Sequence, residues 1–165
     1  MNEVLSIIIP VYNEKETIEK IMSKVQAVNL ENISKQIIII DDGSTDGTKD
    51  IIKKLRNKNI TALFHQKNHG KGAAIKTALP ICKGDYIIIQ DADLEYNPEE
   101  WPKLLSAIKE NPEISAIYGS RNLNKTSRGY LHYYLGGRLL TALINLLFHA
   151  NFTDINTGYK LFRKN

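Results

Sequence analysis

Asp91 and Asp93 stand two residues apart, with only Gln90 between them and the apolar run Tyr86 to Ile89. In extended backbone, residues i and i+2 share a face. Two carboxylates held that close repel each other unless a cation lies between them. Their hard oxygens suit Mg²⁺ or Mn²⁺, and either ion also binds a diphosphate. A D-x-D pair alone is a weak signal, because short acidic turns are common; its place at a strand end gives it weight. An EF-hand loop is excluded, since Tyr96 stands where the loop needs Gly and Pro102 where it needs Glu.

Two further polar clusters end apolar runs: Pro10 to Glu14, and Asp41-Asp42 followed by Gly43 to Thr48. Ser44 to Thr48 reads as a tight turn and helix start, with Gly43 and Gly47 open to positive φ and Thr45 or Asp46 able to cap amides. That role leaves the two adjacent acids unexplained, and one of them must face a ligand crevice. A carboxylate there can accept from a base N–H or from ribose hydroxyls. No GxGxxG and no GxxxxGK[ST] occurs, so neither a dinucleotide fold nor a P-loop is supported. His65 to Gly72 forms a basic, glycine-bearing loop that enters a helix, either a solvated turn or an anion-facing helix start. His65 and His69 straddle that loop, which argues against a metal pair.

These clusters need elements to hold them. Short β-branched runs at 4–9, 37–40, 60–64, 86–89 and 114–118 alternate with helical stretches at 14–28, 48–57, 72–82 and 98–111. Continuous apolar strands suit a sheet buried on both faces, and the alternation predicts a mostly parallel, doubly wound α/β sheet. In such sheets ligands sit at the carboxyl ends of the strands, where all three clusters fall. Beyond Gly119 the chain changes: 122–129 is polar, Leu131 to Phe152 is apolar and helical with an interruption at Gly136-Gly137, and Thr153 to Asn165 reads as a turn leading into a strand.

The chain has 165 residues, which predicts one domain, 1–165. Its net charge of +4 fits an anionic small ligand or lipid surface and does not call for nucleic acid. The single cysteine, Cys82, excludes an intrachain disulfide and reads as a buried apolar residue. No signal-like start and no run of ~20 apolar residues is present, so a cytoplasmic location is expected, with room for contact at the cytoplasmic face of a membrane.

Several motifs occurring in one order carry a family resemblance. Ile8-Ile-Pro-Val-Tyr-Asn-Glu14, Asp41-Asp-Gly-Ser-Thr-Asp-Gly-Thr48, Asn68-His-Gly-Lys-Gly-Ala-Ala74 and Gly84-Asp-Tyr-Ile-Ile-Ile-Gln-Asp-Ala-Asp-Leu-Glu-Tyr96 resemble family 2 glycosyltransferases. Tyr118-Gly-Ser-Arg121 and Thr153-Asp-Ile-Asn-Thr-Gly-Tyr-Lys-Leu-Phe-Arg163 make the chain most similar to the dolichol-phosphate mannose synthase branch and its bacterial polyprenyl-phosphate relatives. The resemblance implies a Rossmann-like domain of the glycosyltransferase A type and inverting transfer from a GDP- or UDP-sugar. It implies that Pro10, Tyr12, Glu14, Ile40 and Asp42 hold the nucleoside, and that Asp91, Ala92 and Asp93 contact the donor. Asp93 would be the chief Mg²⁺ or Mn²⁺ ligand, aided by Asp91 and by Glu95, which stands where many relatives carry Gln. Arg121 would face donor or acceptor phosphates, with Arg138, Lys160 and Arg163 as weaker candidates.

The expected acceptor is a polyprenyl phosphate, already an anionic nucleophile that needs no general base. The alternatives are transfer to a hydroxyl of a glycan or glycolipid, for which Asp154 could act as base, and a nucleotide-binding domain without catalysis. A nucleotidyltransferase shares the layout but needs a glycine-rich basic loop where Tyr12-Asn13-Glu14 stands. The apolar residues Leu139, Leu140, Leu143, Ile144, Leu146, Leu147 and Phe148 read as core or as an interfacial helix, with Tyr130, Tyr133 and Tyr134 suited to a bilayer interface or a packed hinge. Relatives usually continue past the Tyr-Lys-Leu-Phe-Arg segment, so a C-terminally truncated catalytic domain is expected, with 1–120 binding the nucleotide sugar and 121–165 facing the acceptor.

Overall fold

The computed structural model describes residues 3–55, 58–120, 131–149, 152–155 and 157–164, with the backbone alone for 131–135. The strands are β1 (Val4–Val11), β2 (Ser34–Asp41), β3 (Ile60–Phe64), β4 (Tyr86–Ile89), β5 (Ala116–Tyr118) and β6 (Lys160–Arg163). The helices are α1 (Ile18–Ala27), α2 (Thr48–Lys54), α3 (Lys71–Ala78), α4 (Trp101–Glu110) and α5 (Leu131–Phe148). The sheet order is β3-β2-β1-β4-β6-β5. β1 pairs in parallel with β2 and β4, and β2 with β3, whereas β6 runs antiparallel between β4 and β5. This is the mostly parallel α/β sheet that the alternating pattern predicts.

Side-chain alternation divides the isoleucine runs between two cores. Leu5, Ile7 and Ile9 join Ile37, Ile39 and Ile88 in the larger core, where Ile18, Ile21, Met22 and Val25 of α1 and Trp101, Leu105 and Ile108 of α4 pack. Ile8, Ile38, Ile40 and Ile87 face the other way and meet Ala74 and Ala78 of α3. Small α3 residues let that helix lie close to the sheet. Cys82 is buried in this second core, as its apolar character predicts.

Helix limits follow local chemistry. Residues 14–17 form turns, so α1 begins later than the apolar pattern suggests. Its C-terminal end is closed from outside: the Lys35 ammonium donates to the carbonyls of Val25, Gln26 and Val28 at 2.9, 2.7 and 2.7 Å. Pro80 tightens the end of α3 into a 3₁₀ turn, Leu79–Ile81. α5 runs through Gly136-Gly137 without the expected break. Its apolar residues do not form core among the described residues: Leu139, Leu140, Leu143, Leu146, Leu147 and Phe148 are 43% to 74% exposed. No described helix is long and apolar enough to cross a membrane.

Candidate active site

β1 and β4 are neighbours, while the chain between them travels out through β2 and β3 and back. Strand order therefore reverses between β1 and β4, and a crevice opens at their carboxyl ends. A cleft of about 280 Å³ lies there. The end of β1 contributes Pro10, Val11, Tyr12 and Glu14, the residue after β2 contributes Asp42, and the turn after β4 contributes Asp91, Ala92 and Asp93. Asn68, Gly70, Lys71 and Ala74 close the remaining side.

The first two clusters are stitched together by short polar side chains. The Asn13 amide donates to Ser44 Oγ at 2.9 Å, and the Thr45 amide donates to Asn13 Oδ1 at 2.8 Å. The Glu14 amide donates to Thr48 Oγ1 at 2.9 Å, and the Lys15 amide to Asp46 Oδ2 at 3.1 Å. Asp46 also accepts from the Thr48 amide, the first of α2, so it satisfies one orphan amide from the residue before the Gly47 N-cap. Ser44 to Thr48 thus fix the shape of the 10–15 loop.

Of the two adjacent acids, Asp42 faces the cleft. Asp41 is fully buried on the opposite face, and neither carboxylate oxygen has a hydrogen-bond partner among the described residues. Asp42 also organises the basic loop. Its carboxylate accepts from the amides of His69 at 3.0 Å and Gly70 at 2.7 Å, and lies 2.6 Å from His65 Nδ1. Burial alone would raise its pKa, but the bonds from His65, His69 and Gly70 outweigh burial and hold it below the usual carboxylate value. His65 reaches Thr77 Oγ1 at 3.0 Å with its other nitrogen, so this ring braces α3 against the loop. Gly43, at φ +76°, lets the loop pass: a Cβ there would stand 2.6 Å from the Lys67 carbonyl carbon.

The acidic turn meets this loop across the cleft. Lys71 Nζ lies 2.5 Å from Asp91 Oδ1. The sequence leaves 65–72 as either a solvated turn or an anion-facing helix start and gives no sign that Lys71 pairs with Asp91. Asp93 lines the cleft and accepts the Glu95 amide at 3.0 Å, a turn closed by Leu94 at φ +67°. That turn leaves Glu95 exposed and outside the cleft lining, so it does not join Asp91 and Asp93. Among the described residues, no three His, Cys, Asp or Glu side chains converge into a metal cage. Two carboxylates on one side of an open cleft are an incomplete set of hard donors, suited to a divalent ion whose other ligands come from a diphosphate.

Other expected site residues lie elsewhere. Ile40 is fully buried against Ala74 and Ala78 and does not line the cleft. Arg138 is exposed on α5, and Lys160 of β6 sets its ammonium 5.3 Å from the Tyr118 ring. Asp154 is buried ahead of β6. Arg163 is placed at the wrong end for a phosphate contact: β6 is antiparallel, so Arg163 pairs with Tyr86 at the start of β4 and donates to the Ile108 carbonyl at 2.5 Å. Arg121 and Tyr130 lie outside the described residues, and for Tyr133 and Tyr134 only the backbone is described.

The model of glycosyl transferase family 2 matches residues 6–165. The chain belongs to that family. It is 33% identical over 117 residues to the undecaprenyl-phosphate 4-deoxy-4-formamido-L-arabinose transferase of Aeromonas hydrophila, covering 68% of this chain and 36% of that protein. It is 34% identical over 118 residues to the dolichol-phosphate mannosyltransferase of Pyrococcus furiosus, covering 71% of this chain and 33% of that protein. The matches thus span about a third of each of these relatives. The glucosyl-3-phosphoglycerate synthase of Mycobacterium tuberculosis, solved with Mn²⁺, UDP-glucose and phosphoglyceric acid, superposes with a TM-score of 0.72 at 20% identity, covering 98% of this chain and 56% of that one. Its likeness establishes the shared glycosyltransferase A fold.

Proposed function

We propose that this chain transfers a sugar, with inversion, from a GDP- or UDP-sugar to a polyprenyl phosphate. The observation that carries the reading is the cleft at the β1/β4 switch point, where Asp91 and Asp93 face Lys71 and the Asp42-anchored loop. Two family relatives named for undecaprenyl-phosphate and dolichol-phosphate transfer support the acceptor class.

The chemistry then follows from charge. An oxygen of the acceptor phosphate attacks the anomeric carbon as the bond from that carbon to the donor's β-phosphate oxygen breaks. The electron pair leaves with the nucleoside diphosphate, and no proton needs removal from an ionised phosphate. Asp91 and Asp93 would hold Mg²⁺ or Mn²⁺, which supplies charge neutralisation to the departing diphosphate. Lys71 adds a second positive charge on the facing wall. Pro10, Tyr12, Glu14 and Asp42 line the part of the cleft that would take the nucleoside. Arg121, Arg138 and Lys160 belong to the acceptor side of the proposal. The exposed apolar face of α5 suits the headgroup region of a bilayer, where a polyprenyl phosphate resides.

Incubation with Mn²⁺, radiolabelled GDP- and UDP-sugars and polyprenyl phosphate tests this. Label in the lipid phase is expected. Label on a glycan hydroxyl instead, or nucleotide binding with no turnover of any donor, would replace it.

A further inference from the structure

The acidic turn is held from behind by one buried amide. Gln90 has no solvent exposure and sits between the last residue of β4 and Asp91. Its Nε2 donates to the carbonyls of Asp91 at 3.0 Å and Tyr96 at 3.3 Å, which are the two ends of the turn. Its Oε1 accepts from Trp101 Nε1 at 3.2 Å, on α4, and from the Tyr159 hydroxyl at 3.1 Å, just before β6. An amide has two donor hydrogens and an acceptor oxygen with two lone pairs, so all four capacities are used. Burial away from water makes such a network stiff when complete and costly when broken.

The same turn is clamped a second time. Tyr96 accepts the Gly158 amide through its hydroxyl at 2.7 Å, and its ring packs on Tyr159 at 4.7 Å. Gly158 leaves no spare room: a Cβ there would lie 2.6 Å from Asp91 Oδ2 and 2.5 Å from the Tyr96 ring. Residues 157–159 therefore form the back wall of the acidic turn; Tyr96 bonds the turn to that wall through Gly158, and Gln90 holds the two ends of the turn and adds one bond to the wall through Tyr159.

We infer that Gln90 is a positioning residue for Asp91 and Asp93, setting the turn through its two Nε2 bonds and tying it to Tyr159 and Trp101 through Oε1. The inference rests on the donor-site reading above, and it concerns how the diphosphate end of that site is aimed. Second-layer hydrogen bonds behind a metal-binding carboxylate typically change metal affinity about 10- to 100-fold.

The test compares Gln90→Leu, Gln90→Glu and Tyr159→Phe. The leucine variant loses all four bonds, and the glutamate variant keeps the acceptor oxygen but not the amide donor. Tyr159→Phe removes a single bond, on the side away from the turn. Two readouts are taken. Hydrogen exchange without ligand is expected to quicken at 91–96 in Gln90→Leu and Gln90→Glu while 68–70 stays unchanged. Calorimetry with GDP and UDP, with and without Mn²⁺, is expected to show the Mn²⁺-dependent gain in affinity falling about 10-fold or more in both Gln90 variants. Metal-free affinity should stay within about twofold, and Tyr159→Phe should keep the gain. If Gln90→Leu does not fold, Gln90→Glu carries both readouts. Unchanged exchange at 91–96, or equal losses with and without Mn²⁺, would overturn the inference. Wild-type protein that binds neither nucleotide, while exchange at 91–96 still responds to Gln90, would instead overturn the donor-site reading.

Discussion

Replacing Lys71 by Met should make the cleft bind Mn²⁺ more tightly and nucleotide less tightly. Lys71 Nζ lies 2.5 Å from Asp91 Oδ1, with side-chain exposures of 50% and 16%. The lysine is open enough to water that a water-like dielectric applies to it. A divalent ion sharing Asp91 would sit ~5 Å from the ammonium, where Coulomb's law gives a repulsion of about 1.7 kcal/mol. Salt at physiological strength, with a Debye length near ~8 Å, reduces this to about 1 kcal/mol. Methionine keeps the length of the side chain and removes the charge, so Mn²⁺ affinity without nucleotide should rise about fivefold at physiological ionic strength. The nucleoside diphosphate measured without metal should weaken, because a charge-assisted bond to phosphate, worth about 1.5 to 3 kcal/mol, is lost. Mn²⁺ titration by electron paramagnetic resonance and GDP or UDP titration by calorimetry read the two effects separately. A folding defect would weaken both. Mn²⁺ affinity that is unchanged or lower in Lys71→Met would refute the reasoning.

Asp93→Ala should abolish the Mn²⁺-dependent part of nucleotide binding while leaving the melting temperature within a few degrees, because Asp93 is exposed and bonds only within its own turn as described; unchanged Mn²⁺-dependent affinity would remove Asp93 from the metal assignment. Lys35→Met should cost about 2 kcal/mol in denaturant unfolding, since three carbonyls at the end of α1 lose a charged donor; a loss well under ~0.5 kcal/mol would mean water replaces the ammonium there. Asp42 has a native pKa below its ordinary 3.8, so the unfolded chain takes up this proton first as pH falls. Its stabilising contribution is complete above 3.8 and is lost as pH drops through the depressed native value. Unfolding curves at about pH 5 and about pH 3 should therefore differ less in Asp42→Asn than in the wild type.

The parallel sheet was legible because its strands carry their own signal. Ile37 to Ile40 and Tyr86 to Ile89 are apolar on both faces, and only a sheet covered on both sides uses such runs. The position of β6 was not legible, because strand pairing is set between residues far apart: Lys160 pairs with Ile89, and nothing in 160–163 names that partner. The same reason hid the duties of single residues. Asp41 and Asp42 are alike in sequence, yet strand alternation buries one and turns the other to the cleft. Lys71 and Asp91 meet only because α3 and β4 converge, and Gln90 reads as an ordinary strand-end residue until Trp101 and Tyr159 are brought to it. Helical periodicity in α5 could not distinguish an apolar face that packs from one left open, since both obey the same pattern.

β6 comes last among the described strands but lies between β4 and β5. During synthesis β1 to β4 can assemble as they emerge, whereas β5 has no strand to join until 160–163 has left the ribosome. Until then β4, one wall of the cleft, presents a bare apolar edge, the kind of surface on which chains pair with each other. The Gly158 and Tyr159 contacts that brace the acidic turn arrive with the same segment. Among the described strands, closing the β4 edge and bracing the acidic turn are thus one event, and slowed delivery of 157–163 should first appear as aggregation of nascent chains.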